Sequence, residues 1–113
     1  MTTYKRGDVV LVLFPNSDLQ TAKKRPALVV QADNLNTGIE QIIVASNLAR
    51  RNHPSRCFIA QDSPEGKQSG VLTDSVVMTD NLATVFLKAI DSKIGVLPKM
   101  LPIDTALRKT LGL

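Results

Sequence analysis

The chain has 113 residues, 43% of them apolar, enough to bury the core of one ordinary domain spanning residues 1–113. Its single cysteine excludes an internal disulfide framework, no apolar run approaches the roughly 20 residues of a membrane-spanning helix, and no signal-peptide pattern opens it, so a cytoplasmic protein is expected. The net charge of +4 lies wholly in the first half: residues 1–56 carry eight Lys/Arg against four acids, and residues 57–113 six against six. Clustered cations of this kind are the footprint of a polyanion partner such as RNA or DNA, or else a solvated basic surface.

The β-branched and aliphatic run GDVVLVLF, residues 7–14, ends at Pro15 and predicts a first strand. Residues 15–24, PNSDLQTAKK, hold turn formers without periodicity and predict a loop. RPALVVQA (25–32) is a second strand, with Pro26 at its entrance, where a missing N–H is tolerated. After the turn at 33–38, EQIIVAS (40–46) predicts a third strand, 47–55 a basic loop and RCFIA (56–60) a fourth strand. A turn-rich connection, 61–70, leads to a fifth strand, 71–78. LATVFLKAI (82–90) fits strand or helix equally by pattern, and SKIGVL (92–97) is a last short strand.

At the C-terminus the period changes. Ile103, Ala106, Leu107, Thr110 and Leu111 recur at spacings of three and four, with Pro102 suited to start a helix, Arg108 and Lys109 to its end, and Gly112 to close it. Short, regularly spaced strands followed by one helix predict a small barrel-like antiparallel sheet capped by that helix. Strands one to three are apolar on both faces, which a single short helix does not cover. Barrel closure, a second copy of the chain, or both would hide the remainder, and a homodimer is expected.

Several chemistries are excluded by residue type. SPEGKQSG lacks the spacing and the strand-to-helix setting of a phosphate loop. One histidine, His53 in a loop, and one cysteine, Cys57 in an apolar strand, do not build a zinc site, and Cys57 reads as an inert buried thiol. No cofactor is expected, and catalysis would fall to Arg, Ser/Thr, Asp/Glu and backbone groups. Arg25 stands out. It precedes Pro26, so its backbone is restricted to extended conformations, and its guanidinium would hold a phosphate bidentately or else pair with a carboxylate at the strand end.

The segments KRGDVVLVLFP, KKRPALVVQAD, IIVASNL and GVLTDSVVMTDNLAT resemble the MazF/PemK family of toxin endoribonucleases, over roughly residues 4–90 and less specifically into the C-terminal helix. The resemblance implies a mainly β fold, a small SH3-like antiparallel barrel of the CcdB/PemK type with a C-terminal helix. It implies a homodimer acting as the toxin of a type II toxin–antitoxin pair, with metal-independent, sequence-specific cleavage of single-stranded RNA across the shared face. The partner it implies is a small acidic antitoxin. The family's arginine before proline falls on Arg25, its Ser/Thr at the end of the third strand on Ser46, and its acidic residue after the fifth strand on Asp80, followed by Asn81 and Thr84.

The chain also departs from the family. NSDLQTAKK replaces the usual first loop, Ala83 stands where an arginine usually precedes the threonine, and Met78 where some members carry another. The expected chemistry is attack of the RNA 2′-hydroxyl on the adjacent phosphate, giving a 2′,3′-cyclic phosphate and a 5′-hydroxyl. Arg25 would stabilise the phosphorane, Ser46 bond a phosphate oxygen, and Asp80 transfer a proton or place the substrate, unless Asp80 is only a turn residue. Lys23, Lys24, Arg50 and Arg51 would track the RNA backbone as a group. Two other classes fit the same residues: a nucleic-acid-binding barrel without catalysis, and a same-fold toxin that acts on gyrase.

Overall fold

In the computed structural model the β-branched run that opens the chain forms β1, Asp8–Pro15, the second strand from one edge of a six-stranded sheet. The structure describes residues 4–113 apart from 16, 17, 19, 36, 40 and 48–54, and the backbone alone at 14, 15, 46 and 47. β1 pairs with β2 (Ala22–Val29) on one side and β6 (Ile90–Val96) on the other. β2 pairs with β3 (Gln41–Asn47), β3 with β5 (Ser75–Phe86), and β5 with β4 (Arg56–Ile59). Every pairing is antiparallel, and the order across the sheet is β4-β5-β3-β2-β1-β6.

The mainly β architecture with a C-terminal helix is the expected one, but the sheet is not closed: β4 and β6 are its two edges and do not pair with each other among the described residues. Closure is not needed to bury both faces. Residues that alternate along a strand point to opposite sides, and two apolar clusters form accordingly. On one side Val9, Leu28, Ala45, Ile59, Val77 and Leu97 pack against Ile103. On the other Val10, Val12, Ala27, Val29, Ile42, Val44 and Ile90 are buried beneath Tyr4, Ala83, Val85, Leu87 and Ala89. The apolar part of the second face is therefore buried within one chain, while Lys23 at its margin stays exposed, and the double-faced strands do not by themselves require a second copy.

The second strand ends at Val29 and not at residue 32, the fifth starts at Ser75 and not at residue 71, and three larger differences from the sequence reading follow. β2 begins at Ala22, so Lys23 and Lys24 lie in the strand and not in a loop: the pairing of Phe14 with Lys23 and Leu13 with Lys24 extends the hairpin past its apolar core. The turn-rich connection contains a short helix, α1 (Pro64–Ser69), capped at its start by Ser63, whose hydroxyl accepts from the Gly66 N–H. Gly70 closes it at φ +77°, and Gly95 on β6 sits so close that a Cβ there would lie 2.3 Å from the Ser69 carbonyl carbon. The third difference is β5, which runs unbroken for 12 residues through the segment that fitted strand or helix, to Phe86. A single 3-10 turn, Leu87–Ala89, then leads into β6.

The terminal helix, α2 (Leu101–Leu111), lays Ile103 and Ala106 on the sheet, and Leu107 packs beside them. Its start is tied by Arg6, whose Nη2 donates to Asp104 and whose Nε donates to the Val30 carbonyl at 3.0 Å. Its end is tied by a 2.9 Å hydroxyl contact between Thr110 and the fully buried Thr79. Cys57 donates to the Pro102 carbonyl at 3.4 Å, and burial pushes its thiol up from the ordinary value, which suits an inert packing residue.

Candidate nucleic-acid interface

The three cations at the mouth of β2 do not share a side of the sheet. Arg25 pairs with Val12 and follows the alternation of Ala27 and Val29, so it stands on the face of the second cluster, and Lys23 alternates onto the same face. Lys24 alternates to the other side, where its Nζ lies 3.0 Å from Asp91 Oδ1 on β6. Arg25 is partly buried and Lys23 exposed. The pre-proline restriction and the β1 pairing together hold the Arg25 backbone extended.

On the Arg25 face a row of residues crosses four strands. Ala27 on β2 pairs with Ser46 on β3, Ser46 with Met78 on β5, and Met78 with Arg56 on β4. The backbone of Ser46 is thus one strand over from the residue two positions past Arg25. Between Ala45 and Ser46 the register on β5 jumps from Leu82 to Met78, a bulge that takes Thr79–Asn81 out of the β3 ladder. Asp80 sits in that bulge. Its Oδ1 accepts from Arg56 Nε at 3.3 Å and its Oδ2 from Arg56 Nη2 at 2.9 Å. The Arg56 hydrogen bonds hold the Asp80 carboxyl below the usual carboxylate range, with a smaller contribution from Ser55. The same contact raises the Arg56 guanidinium.

Beyond the bulge Ala83 packs into the second cluster, on the Arg25 side, whereas Thr84 pairs with Ile43 and alternates to the other side. Asn81 is exposed within the bulge. Arg50, Arg51 and His53 lie outside the described residues, and so does the side chain of Ser46. Arg25 and Lys23 are brought to one face, with the Ser46 backbone one strand over and Asp80 held by Arg56 at the margin; Lys24 and Thr84 alternate away.

Arg56 is the residue that reading along the chain missed. It marks only the start of a strand in the sequence, and its partner lies 24 positions away. Nothing in the order of the chain marks it, because its pairing with Met78 exists only once β4 is docked on β5.

A family model for the PemK-like, MazF-like toxins of type II toxin–antitoxin systems matches residues 5–111. Among solved structures the chain is similar to an endoribonuclease from a mycobacterial species, at 25% identity and TM-score 0.74, covering 100% of this chain and 95% of that one. It is similar in fold to a mycobacterial endoribonuclease in complex with its cognate antitoxin, at 23% identity and TM-score 0.74, covering 98% and 97% of the two chains. A MazE–MazF complex from Deinococcus radiodurans shares the fold at 16% identity and TM-score 0.73, covering 100% and 99%. No curated protein matches. With nearly its whole length matched by one family model, the chain belongs to the PemK-like, MazF-like toxins of type II toxin–antitoxin systems.

Proposed function

We propose that the chain is an endoribonuclease that cleaves single-stranded RNA at short motifs by transesterification. The observation that carries this reading is the placement of Arg25 on one face of the sheet beside the Ser46 row, within a family whose solved relatives include endoribonucleases. The nucleophile is the RNA's own 2′-hydroxyl, which gives up its proton as it bonds to phosphorus while the 5′-oxygen leaves and takes one up, so the protein has to align it, accept that proton and stabilise the charge that develops on phosphorus. That demand needs no metal. Arg25 offers a planar fork of N–H donors to the phosphorane, and Ser46 is the second phosphate-bonding group. DNA resists, because it lacks the 2′-hydroxyl.

The partner is a small acidic antitoxin whose segment covers the basic face, as relatives solved with their antitoxins suggest. A homodimer in the cytoplasm belongs to the same proposal. It is supported by large apolar side chains left exposed, such as Leu13 and Phe86, and light scattering at micromolar concentration tests it. No helix among the described residues is long and apolar enough to cross a membrane.

The deciding experiment incubates the purified protein and its Arg25→Ala variant with a long unstructured RNA in EDTA and maps the new ends. Discrete cuts carrying 5′-hydroxyl groups, lost in the variant, are expected. Intact RNA would instead favour a binding module or a toxin acting on gyrase.

A further inference from the structure

Among the described residues two arginines, Arg25 and Arg56, flank Ser46 across the strands. Arg56 lies two strands from Ser46, about 10 Å at strand spacing, on the side away from Arg25. Its place is fixed by more than its ion pair. Ser55, just before it, has its carbonyl taken by both the N–H (3.0 Å) and the hydroxyl of Thr79, and Thr79 is fully buried. The backbone that carries Arg56 is therefore clamped to the strand that carries Asp80. The Arg56 and Asp80 side chains remain partly open to solvent, at 21% and 34%.

We propose that Arg56 is a second phosphate-contacting guanidinium, gripping an RNA phosphate next to the scissile one, and that Asp80 is the positioning residue that aims it. The inference rests on the ribonuclease reading and deepens it. A guanidinium has five N–H donors in a fixed fork. Asp80 takes those on Nε and one on Nη2, which leaves three for an oxygen approaching from the open side. Asp80 itself is badly placed to accept a proton. Both its oxygens already accept from Arg56, and its depressed carboxyl is a weak base at neutral pH. Arg56 stands opposite Met78, so this charge is delivered to the row from β4 and not from β5.

The test compares the wild-type chain with Arg56→Gln, Arg56→Lys and Asp80→Asn, by cleavage kinetics on a long unstructured RNA and by binding to a 2′-O-methyl RNA of the same sequence, which cannot be cut. Loss of a charge-assisted phosphate bond in Arg56→Gln is expected to raise both KM and the Kd for the uncut analogue about tenfold or more, with kcat little changed. Arg56→Lys recovers part of that loss, because the charge returns without the fork. Asp80→Asn moves KM in the same direction and leaves the shape of the pH–rate profile intact, and the double variant Arg56→Gln/Asp80→Asn is no worse than Arg56→Gln.

An Arg56→Gln protein that binds and cuts like wild type overturns the proposal while the ribonuclease reading stands. So does an Asp80→Asn protein that loses kcat together with the acidic limb of the profile, since Asp80 would then be the proton acceptor. If wild type cuts no RNA, the ribonuclease reading fails, and the uncut analogue decides Arg56 alone: weaker binding in Arg56→Gln upholds its phosphate contact, and equal or absent binding overturns it.

Discussion

Lys24 Nζ lies 3.0 Å from Asp91 Oδ1, a contact that reaches from β2 across β1 to β6, while Arg25, the next residue, stands over the opposite face. Neighbours in sequence thus answer different demands. Lys24 meets a carboxylate on β6, and Arg25 is turned by the strand's alternation to the face of the candidate interface.

Lys24 holds the Asp91 carboxyl below its ordinary value of 3.8, so the folded state binds that proton less tightly than the unfolded one. Its contribution to stability is present above 3.8 and is lost as the pH falls through the lower folded value. Both side chains are well exposed, so the effect is small. Asp91→Asn is expected to lower the urea midpoint slightly at neutral pH and not at all below the carboxylate range. A midpoint difference that persists in acid would show that Asp91 acts through packing or backbone contacts.

For Arg25 the expectation separates charge from shape. Arg25→Ala should reduce kcat on RNA by about 10²–10³-fold, the usual cost of losing one donor aimed at developing charge. Arg25→Lys should recover only part of it, because an ammonium does not reproduce the bidentate fork. Circular dichroism should still show the folded sheet in both variants, since β2 keeps its Pro26 entrance and its pairing with β1. Full recovery by lysine would mean that a point charge is enough there.

How much of this was legible follows the range of the interactions. The apolar runs of β1 to β4 and the periodicity of Ile103, Ala106 and Leu107 are local signals, and they placed those elements to within a few residues. α1 had its marks as well, with Ser63 as cap, Pro64 in its first turn and Gly70 after it, but a helix of six residues holds too few turns for an apolar period to show. The extension of β2 to Ala22 was hidden because polar residues entered the ladder through pairing with β1, a tertiary effect that overrides composition. The side on which Lys24 and Thr84 stand depends on register, and the jump from Leu82 to Met78 at the β5 bulge breaks any count made along the chain. Arg56 was missed for the same reason. Its partner is defined by docking two strands, not by spacing.

The contact between α1 and β6 gives a stability test away from the interface. A Cβ on Gly95 would lie 2.3 Å from the Ser69 carbonyl carbon and 2.4 Å from the Gln68 carbonyl oxygen. Both are backbone atoms, so no side chain can swing aside. Gly95→Ala should therefore destabilise the fold by about 2–4 kcal/mol, within the range of a steric insertion at a packed site. Gly38→Ala is a useful contrast: no heavy atom lies within 4 Å of its Cβ position, and its cost is confined to the left-handed φ of +75°. Denaturant unfolding that ranked Gly38→Ala as the more damaging would contradict the close approach of α1 to β6.

Cys57 offers a probe of how firmly α2 sits on the sheet. Its thiol is raised from the ordinary value of 9.0 by burial and donates to the Pro102 carbonyl at the first turn of α2. The thiolate, which is the reactive form, is therefore scarcer at neutral pH than in a free cysteine. Alkylation of the native protein by iodoacetamide, followed by mass spectrometry, should be slower than that of glutathione under the same conditions and should speed up in urea. Pro102→Ala keeps the accepting carbonyl and should change the native rate little, whereas Ile103→Ala loosens the side chain that anchors the helix, at 1% exposure, and should raise it. A native rate equal to that of glutathione would mean that this end of α2 lifts from the sheet often enough to expose the thiol, and the packing of Ile103 would then be weaker than its burial indicates.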